Sequence, residues 1–290
     1  CIVAGTAEDG IAAAREYLPE AVILDIGLPD HTGMAVLAQL KRDVRTRHIP
    51  VHVASVEDYT QAALAFGAAS YMLKPVKREE LLAALARIES GGARRLRQVL
   101  IVEDDAAQRE GLCRLLESES VRTEGAASAA EALERLRAQT YDCLVHDLSL
   151  PDASGLDMLE RMHADEAFAF PPVIVYTARE LTEDEDLRLR RYSRSIIIKG
   201  AKSPERLIDE VTLFLHQVVS ELPEQQRRML TASLNHDAAF DNRRILVVED
   251  DVRNIYALTG ILEPHGARID IARNGEEALD LLESTLAPGE

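Results

Sequence analysis

Apolar runs that end on a charged or hydroxyl side chain alternate along this chain with stretches whose apolar positions recur every three or four residues. From about Gln98 to Ser220 the alternation predicts a succession of strands and helices. QVLIVED reads as a strand and Ala106–Glu117 as a helix, and Ser128 caps a further helix over Ala129–Ala138. CLVHD, PVIVYT and SIIIK read as later strands, and Ser203-Pro204-Glu205 opens a last helix with Ser203 as N-cap and Pro204 in the first turn. The acidic stretch Glu180–Asp186 reads as a solvated helix start. Continuously apolar strands separated by helices predict a parallel sheet covered on both faces, hence a doubly wound α/β fold.

The pattern repeats. Sliding the chain by 122 residues brings Asp25 onto Asp147, Ser55 onto Thr177 and Thr6 onto Ser128, and a shift of 146 brings Glu103, Asp104 and Ser128 onto Glu249, Asp250 and Asn274. In both AVILDIGLPDHTG and CLVHDLSLPDASG the strand-end acid is followed by Pro at plus four and Gly at plus eight. The repeat divides the chain into a first copy over 1–90 that lacks the first strand and helix, a linker over 91–97, a complete copy over 98–220, a helical spacer and hinge over 221–243, and the N-terminal part of a third copy over 244–290. The chain starts without Met inside what reads as a strand, so it is expected to be a piece of a longer protein.

Composition narrows the picture. With 47% apolar and 29% charged residues the chain reads as globular, and 50 acids against 33 Lys plus Arg give a net charge of −17, which argues against binding nucleic acid. Cys1, Cys113 and Cys143 have neither disulfide nor metal-ligand spacing and read as buried free thiols. No run approaches the roughly 18 apolar residues of a membrane span, so no membrane contact is expected of this chain and a cytoplasmic location is.

In a doubly wound sheet the loops at the carboxyl ends of the strands form the functional crevice. Glu103 and Asp104 close the first strand of the complete copy, Asp147 the third, Thr177 the fourth and Lys199 the fifth. Crowded carboxylates raise one another's pKa, a conflict that a hard cation such as Mg²⁺ removes. A carboxylate can also attack a phosphoryl group, and Asp147 is the candidate nucleophile.

These residues resemble the receiver domain of two-component response regulators, which has the flavodoxin-like five-stranded fold. The resemblance implies that Asp147 and Asp25 are phosphoacceptors, charged from the phosphohistidine of a histidine kinase or phosphotransfer domain. It implies Mg²⁺ held by Glu103, Asp104, Asp147 and the backbone carbonyl of Ser149, with Glu249 and Asp250 as the matching pair of the third copy. Thr177 and Ser55 would bond one phosphoryl oxygen and Lys199 and Lys74 another, while Tyr71 matches the aromatic that reports phosphorylation. The complete copy departs from the pattern, since Ile196 stands where Tyr71 does and Gly200 stands where Pro75 does.

Receivers in series resemble the C-terminal part of a multi-receiver hybrid sensor histidine kinase, although no stretch here resembles the kinase core. The alternative is a non-phosphorylated scaffold that docks a kinase or dimerises. A homodimer could complete the first copy with the strand and helix of the third. A phosphatase with an aspartate nucleophile fits less well, because Ser149 and Gly27 occupy the positions where its second acid belongs.

Overall fold

The computed structural model describes residues 1–79, 96–165, 170–237, 243–251 and 267–286, with 254–255, 258–259 and 262. The first unit holds α1 (Ala7–Tyr17), β1 (Val22–Asp25), α2 (Gly33–Arg42), β2 (Val51–Ser55), α3 (Thr60–Ala65) and β3 (Ser70–Leu73). The middle unit runs β4 (Arg97–Val102), α4 (Ala106–Leu116), β5 (Val121–Ala126), α5 (Ala129–Ala138), β6 (Cys143–His146), α6 (Gly155–Ala164), β7 (Val173–Thr177), α7 (Glu183–Leu189), β8 (Ser195–Ile198) and α8 (Ser203–Phe214). A 3₁₀ turn (Val219–Glu221), α9 (Glu224–Asp237), β9 (Arg244–Val248), β10 (Arg268–Ala272) and α10 (Gly275–Leu286) follow.

The middle sheet has the order β5-β4-β6-β7-β8, with every pairing parallel. Because side chains alternate along a strand, its apolar runs divide between two cores. Val99, Ile101, Val145, Ile174 and Ile197 pack with Leu112 and Leu116 of α4 and Leu207, Ile208 and Val211 of α8. Leu100, Val102, Leu144 and Val175 pack on the other face with Ala132, Leu136, Met158 and Leu159 of α5 and α6. The chain therefore adopts the doubly wound five-stranded parallel sheet of the flavodoxin-like receiver fold. In this order β4 lies between β5 and β6, so the sheet's switch point opens at the carboxyl ends of β4 and β6. The second strand escapes the apolar pattern because it is an edge: within VRTEGA only Val121 and Ala126 are buried.

The repeat extends to the caps. Thr6 Oγ1 accepts from Asp9 N–H (3.2 Å), Ser128 Oγ from Glu131 N–H (3.2 Å), and Asn274 Oδ1 from Glu277 N–H (2.9 Å). A second device was not read from the sequence. Asp152 takes the N–H groups of Ala129 and Ala130 (2.9 Å each), and Asp30 takes those of Ala7 and Glu8 (2.8 and 3.2 Å). Each carboxylate sits at the positive end of a helix.

Several expectations are corrected. Residues 1–4 form no strand and are exposed. At this repeat position β5 pairs only with β4, and the three-stranded first sheet, ordered β1-β2-β3, contains no counterpart of β4. Cys1 is exposed rather than buried, while Cys113 is half-buried and Cys143 buried, and all three thiols are free. Lys202, not Ser203, is the cap residue of α8, and the Ser203 hydroxyl turns back to donate to Gly200 O (2.8 Å). Of the 91–97 linker, 91–95 lie outside the described residues, and Arg97 already pairs with Val121.

The stretch read as a spacer is packed. Leu222 and Leu230 are buried in the core formed by α4 and α8, and Gln226 Nε2 donates to the carbonyls of Leu115 and Glu117 (2.8 and 3.1 Å). The first and middle units also meet. Arg47, 1% exposed, donates from Nη2 to Asp209 O (3.1 Å) and pairs with the Asp209 carboxylate, while Leu213 lies against Gly67 (φ 86) where a Cβ would come within 3.0 Å of it. Among the described residues no helix is long and apolar enough to cross a membrane.

Leu230→Ala is expected to cost the middle unit about 3 kcal/mol in chemical denaturation, as for any buried leucine. A free spacer would show no change. Asp152→Ala is expected to lower stability by about 1 kcal/mol through loss of the α5 cap.

Candidate functional site

The site is built from strand ends. β4 delivers Glu103, β6 delivers Asp147, β7 ends on Thr177, and the residue after β8 is Lys199, whose N–H is fixed to Thr177 O at 2.7 Å. The Asp147 N–H donates to Val102 O (2.9 Å), so the register of β4 against β6 sets the two acids side by side. The loop after Asp147 folds back sharply. Its Ser149 N–H donates to Asp147 Oδ1 (3.1 Å), and Ser149 bridges to Ser154 just before α6. The glycine at plus eight now has a reason. A Cβ on Gly155 would meet Leu148 Cα at 2.7 Å, and one on Gly33 would meet Ile26 Cα at 2.6 Å, so the helix can start against the loop backbone only where there is no side chain.

Lys199 organises the rim. Its Nζ donates to Asp147 Oδ2 (2.5 Å), Glu103 Oε2 (2.7 Å) and Gln108 Oε1 (3.2 Å), and lies 5.5 Å above the Tyr176 ring. Glu103, Asp147 and Thr177 are buried. Burial by itself raises the Asp147 carboxyl, but the Lys199 hydrogen bond, the Ser149 N–H, the Lys199 charge and the Thr177 hydroxyl reverse this and hold it below the ordinary aspartate range. Glu103 goes the other way, because burial, aided by the charges of Asp147 and Asp104, outweighs Lys199 and raises its carboxyl. Two carboxylates with opposite shifts share one ammonium, as expected of a site built to hold positive charge.

Asp104 stays on the exposed loop, and Asp105 caps α4 by accepting the Gln108 N–H (2.7 Å). Among the described residues no three acidic, histidine or cysteine side chains form a metal-holding group. Mg²⁺ is commonly held by one or two carboxylates together with waters, and Glu103 and Asp147 already converge on a single cation, the ammonium of Lys199. The donor set therefore fits a hard cation.

Sequence reasoning missed Gln108 and Arg109. Arg109 Nη1 donates to the carbonyls of Glu103 and Asp104 (2.7 and 3.1 Å) and so braces the acidic loop from α4. Their positions, four and five residues after Asp104, are one helical turn from the acids and could have pointed to them. His146 is fully buried with neither ring nitrogen bonded, and burial pushes it down to about 4, so it stays neutral.

The first unit reproduces the pattern in more open form. Lys74 pairs with Asp25 and Gly27 N–H donates to Asp25 Oδ1 (3.2 Å), but the Asp25 side chain is 41% exposed against 6% for Asp147. Ser55 is buried and accepts the Glu57 N–H (3.2 Å). The Tyr71 hydroxyl donates to the Glu57 carbonyl and accepts from Tyr59 N–H (3.0 Å), which ties β3 to the loop after β2. In the third unit Glu249 N–H donates to Ala272 O (2.9 Å) as Glu103 N–H does to Ala126 O (3.0 Å), and Asp250 is exposed.

Known proteins were compared with this chain. It is 28% identical over 90 residues to the transcriptional regulatory protein MctR of Rhizobium johnstonii, covering 31% of this chain and 42% of MctR. The chain thus spans less than half the length of that relative. With the polar-differentiation response regulator DivK of Brucella ovis it shares 30% identity over 119 residues, 41% of this chain and 96% of DivK. A solved receiver domain protein from Methanospirillum hungatei is 27% identical, with a TM-score of 0.38 over 44% of this chain and 99% of that one. The family model for the response regulator receiver domain matches residues 1–86 and again 99–212. Two matches that together take in well over half of its length make this chain a member of the response regulator receiver domain family of two-component signalling.

Proposed function

We propose that the middle unit is a phosphoacceptor of a His-Asp phosphorelay, with Asp147 as the nucleophile. The observation that carries this reading is the buried, ionised Asp147 carboxylate held between Lys199 and the Ser149 N–H. An Asp147 oxygen attacks the phosphorus of a phosphohistidine, the P–N bond breaks, and the donor imidazole leaves with the bonding electron pair. Lys199 then turns from the carboxylate to a phosphoryl oxygen, and the Thr177 hydroxyl, which accepts the Arg179 N–H (3.3 Å) in the present state, donates to another. Glu103, Asp104, Asp147 and the Ser149 carbonyl would hold Mg²⁺, which when bound offsets charge on the phosphoryl oxygens.

The donor is a histidine kinase or a phosphotransfer domain, and the parent is a cytoplasmic or membrane-anchored hybrid histidine kinase. For the middle unit the aromatic switch is absent, so its output is relay or a shift of α8, which starts four residues after Lys199. Asp25 is a second acceptor, with Ser55 and Lys74 as its partners and Tyr71 as its switch. The first unit is also held against the middle unit, because its buried Arg47 pairs with Asp209. Glu249 and Asp250 are assigned to Mg²⁺ in a third receiver. The net charge of −17 supports protein partners over nucleic acid.

Incubating the full chain with Mg²⁺ and a small phosphodonor should give a phosphoryl adduct by intact mass that is lost in Asp147→Ala, apart from any carried by Asp25. An adduct pattern unchanged by Asp147→Ala would sink the assignment. Lys199 supplies a second test. Burial pulls its ammonium down, but Asp147 and Glu103 more than reverse this and hold it above its ordinary 10.5. Its stabilising effect is therefore fully present below that value and is lost as pH rises through the higher folded value. Lys199→Met is expected to cost about 3 kcal/mol at neutral pH, because two buried carboxylates lose their counter-charge, and to remove that alkaline loss from the denaturation profile.

A further inference from the structure

The Lys199 ammonium donates to Asp147 Oδ2 (2.5 Å), Glu103 Oε2 (2.7 Å) and Gln108 Oε1 (3.2 Å). An ammonium has three protons to donate, so all are placed. The three acceptors differ in what a phosphoryl transfer does to them. Asp147 becomes an acyl phosphate, and its carboxylate charge is lost from the oxygen that Lys199 holds. Glu103 has its carboxyl raised, chiefly by burial, and belongs to the donor set that fits a hard cation. The Gln108 amide neither titrates nor reacts, so it is the acceptor that Lys199 can keep throughout.

Local structure directs Gln108 at this lysine. Asp105 Oδ1 accepts the Gln108 N–H (2.7 Å) and fixes the residue in the first turn of α4. Arg109, the next residue, donates from Nη1 to the carbonyls of Glu103 and Asp104 (2.7 and 3.1 Å) and lies on Gly125, where a Cβ would come within 2.9 Å of its Cδ. The start of α4 is thereby clamped to the acidic loop and to β5, and the Gln108 side chain meets a lysine 91 residues away. Because an ammonium only donates, the amide oxygen is the atom that must face it. The first unit gives the contrast. Lys74 pairs with Asp25 with no counterpart of Gln108 among the described residues, and its side chain is 36% exposed against 15% for Lys199. A lysine side chain has a flexible four-carbon stem, so an ammonium released by its carboxylate spreads over many rotamers unless another acceptor fixes it.

We propose that Gln108 is a positioning residue of the middle unit, whose amide oxygen holds the Lys199 ammonium over the rim as it passes from the Asp147 carboxylate to a phosphoryl oxygen. This assignment rests on the phosphoacceptor reading of Asp147. The bonds made and broken are those of that transfer, and Gln108 exchanges no proton.

The test is the rate of adduct formation, by intact mass, over a concentration series of acetyl phosphate with Mg²⁺. The full chain carries Asp25→Ala throughout, so that the adduct reports Asp147. Gln108→Met keeps the length and helix propensity of the side chain without the acceptor, whereas Gln108→Glu keeps the acceptor. Gln108 is exposed, so neither change disturbs a core. Gln108→Met is expected to lower the maximal rate about fivefold or more, as for a lost hydrogen bond to a charged group, with the half-saturating acetyl phosphate concentration held within about twofold. Gln108→Glu is expected to recover the maximal rate to within about twofold, since it restores that bond. No adduct with Gln108 in place overturns the acceptor reading and this assignment together. If the adduct forms, an unchanged maximal rate in Gln108→Met, or equal slowing in Gln108→Met and Gln108→Glu, overturns the role of Gln108 alone.

Discussion

One ammonium makes the rim possible. Glu103 and Asp147 emerge from adjacent parallel strands and would repel each other in a buried site, and Lys199 reaches from the far side of the sheet to stand between them. Removing one partner from such an arrangement leaves a buried charge uncompensated, which is costlier than never having built it. The order β5-β4-β6-β7-β8 is what brings an acid after the first strand and a lysine after the fifth to one crevice. Two carboxylates that must be balanced by a positive charge also form a donor set that fits a hard cation.

The first unit shows what the same motif does with fewer neighbours. Lys74 still finds Asp25, but no counterpart of Glu103 or Gln108 closes over the pair among the described residues, and the acid is 41% exposed. The local part of the motif persists because it is local: the plus-eight glycine against the loop backbone, and the N–H two residues on that bonds the acid. What weakens is burial, which comes from elements far away in sequence.

The receivers are also joined by specific chemistry. Asp209 lies on α8, accepts Arg47 from the first unit and Ser233 from α9, and so ties three segments at one carboxylate. α9 is consequently part of the middle unit's packing, with Leu230 inside its core. Movement of α8 after a change at Lys199 would be felt at this junction, since the helix is a rigid element between the two.

The amino-acid sequence by itself determined the α/β class, the register of the repeats and the strand ends that carry Glu103, Asp147, Thr177 and Lys199, because each follows from local periodicity and from spacing that recurs. It also marked Thr6, Ser128 and Asn274, whose capping role depends only on residues three positions on. It did not disclose the edge strand Val121–Ala126, which needs no continuous apolar run, or the packing of α9, whose pattern is the same for a spacer as for a core helix. Tertiary structure alone decided that Lys199 is shared among Glu103, Asp147 and Gln108, that Asp25 is open where Asp147 is closed, and that Arg47 meets Asp209 across 162 residues. These depend on distances between segments remote in sequence, and on how much water the surrounding elements exclude, neither of which is written in any one stretch of the chain.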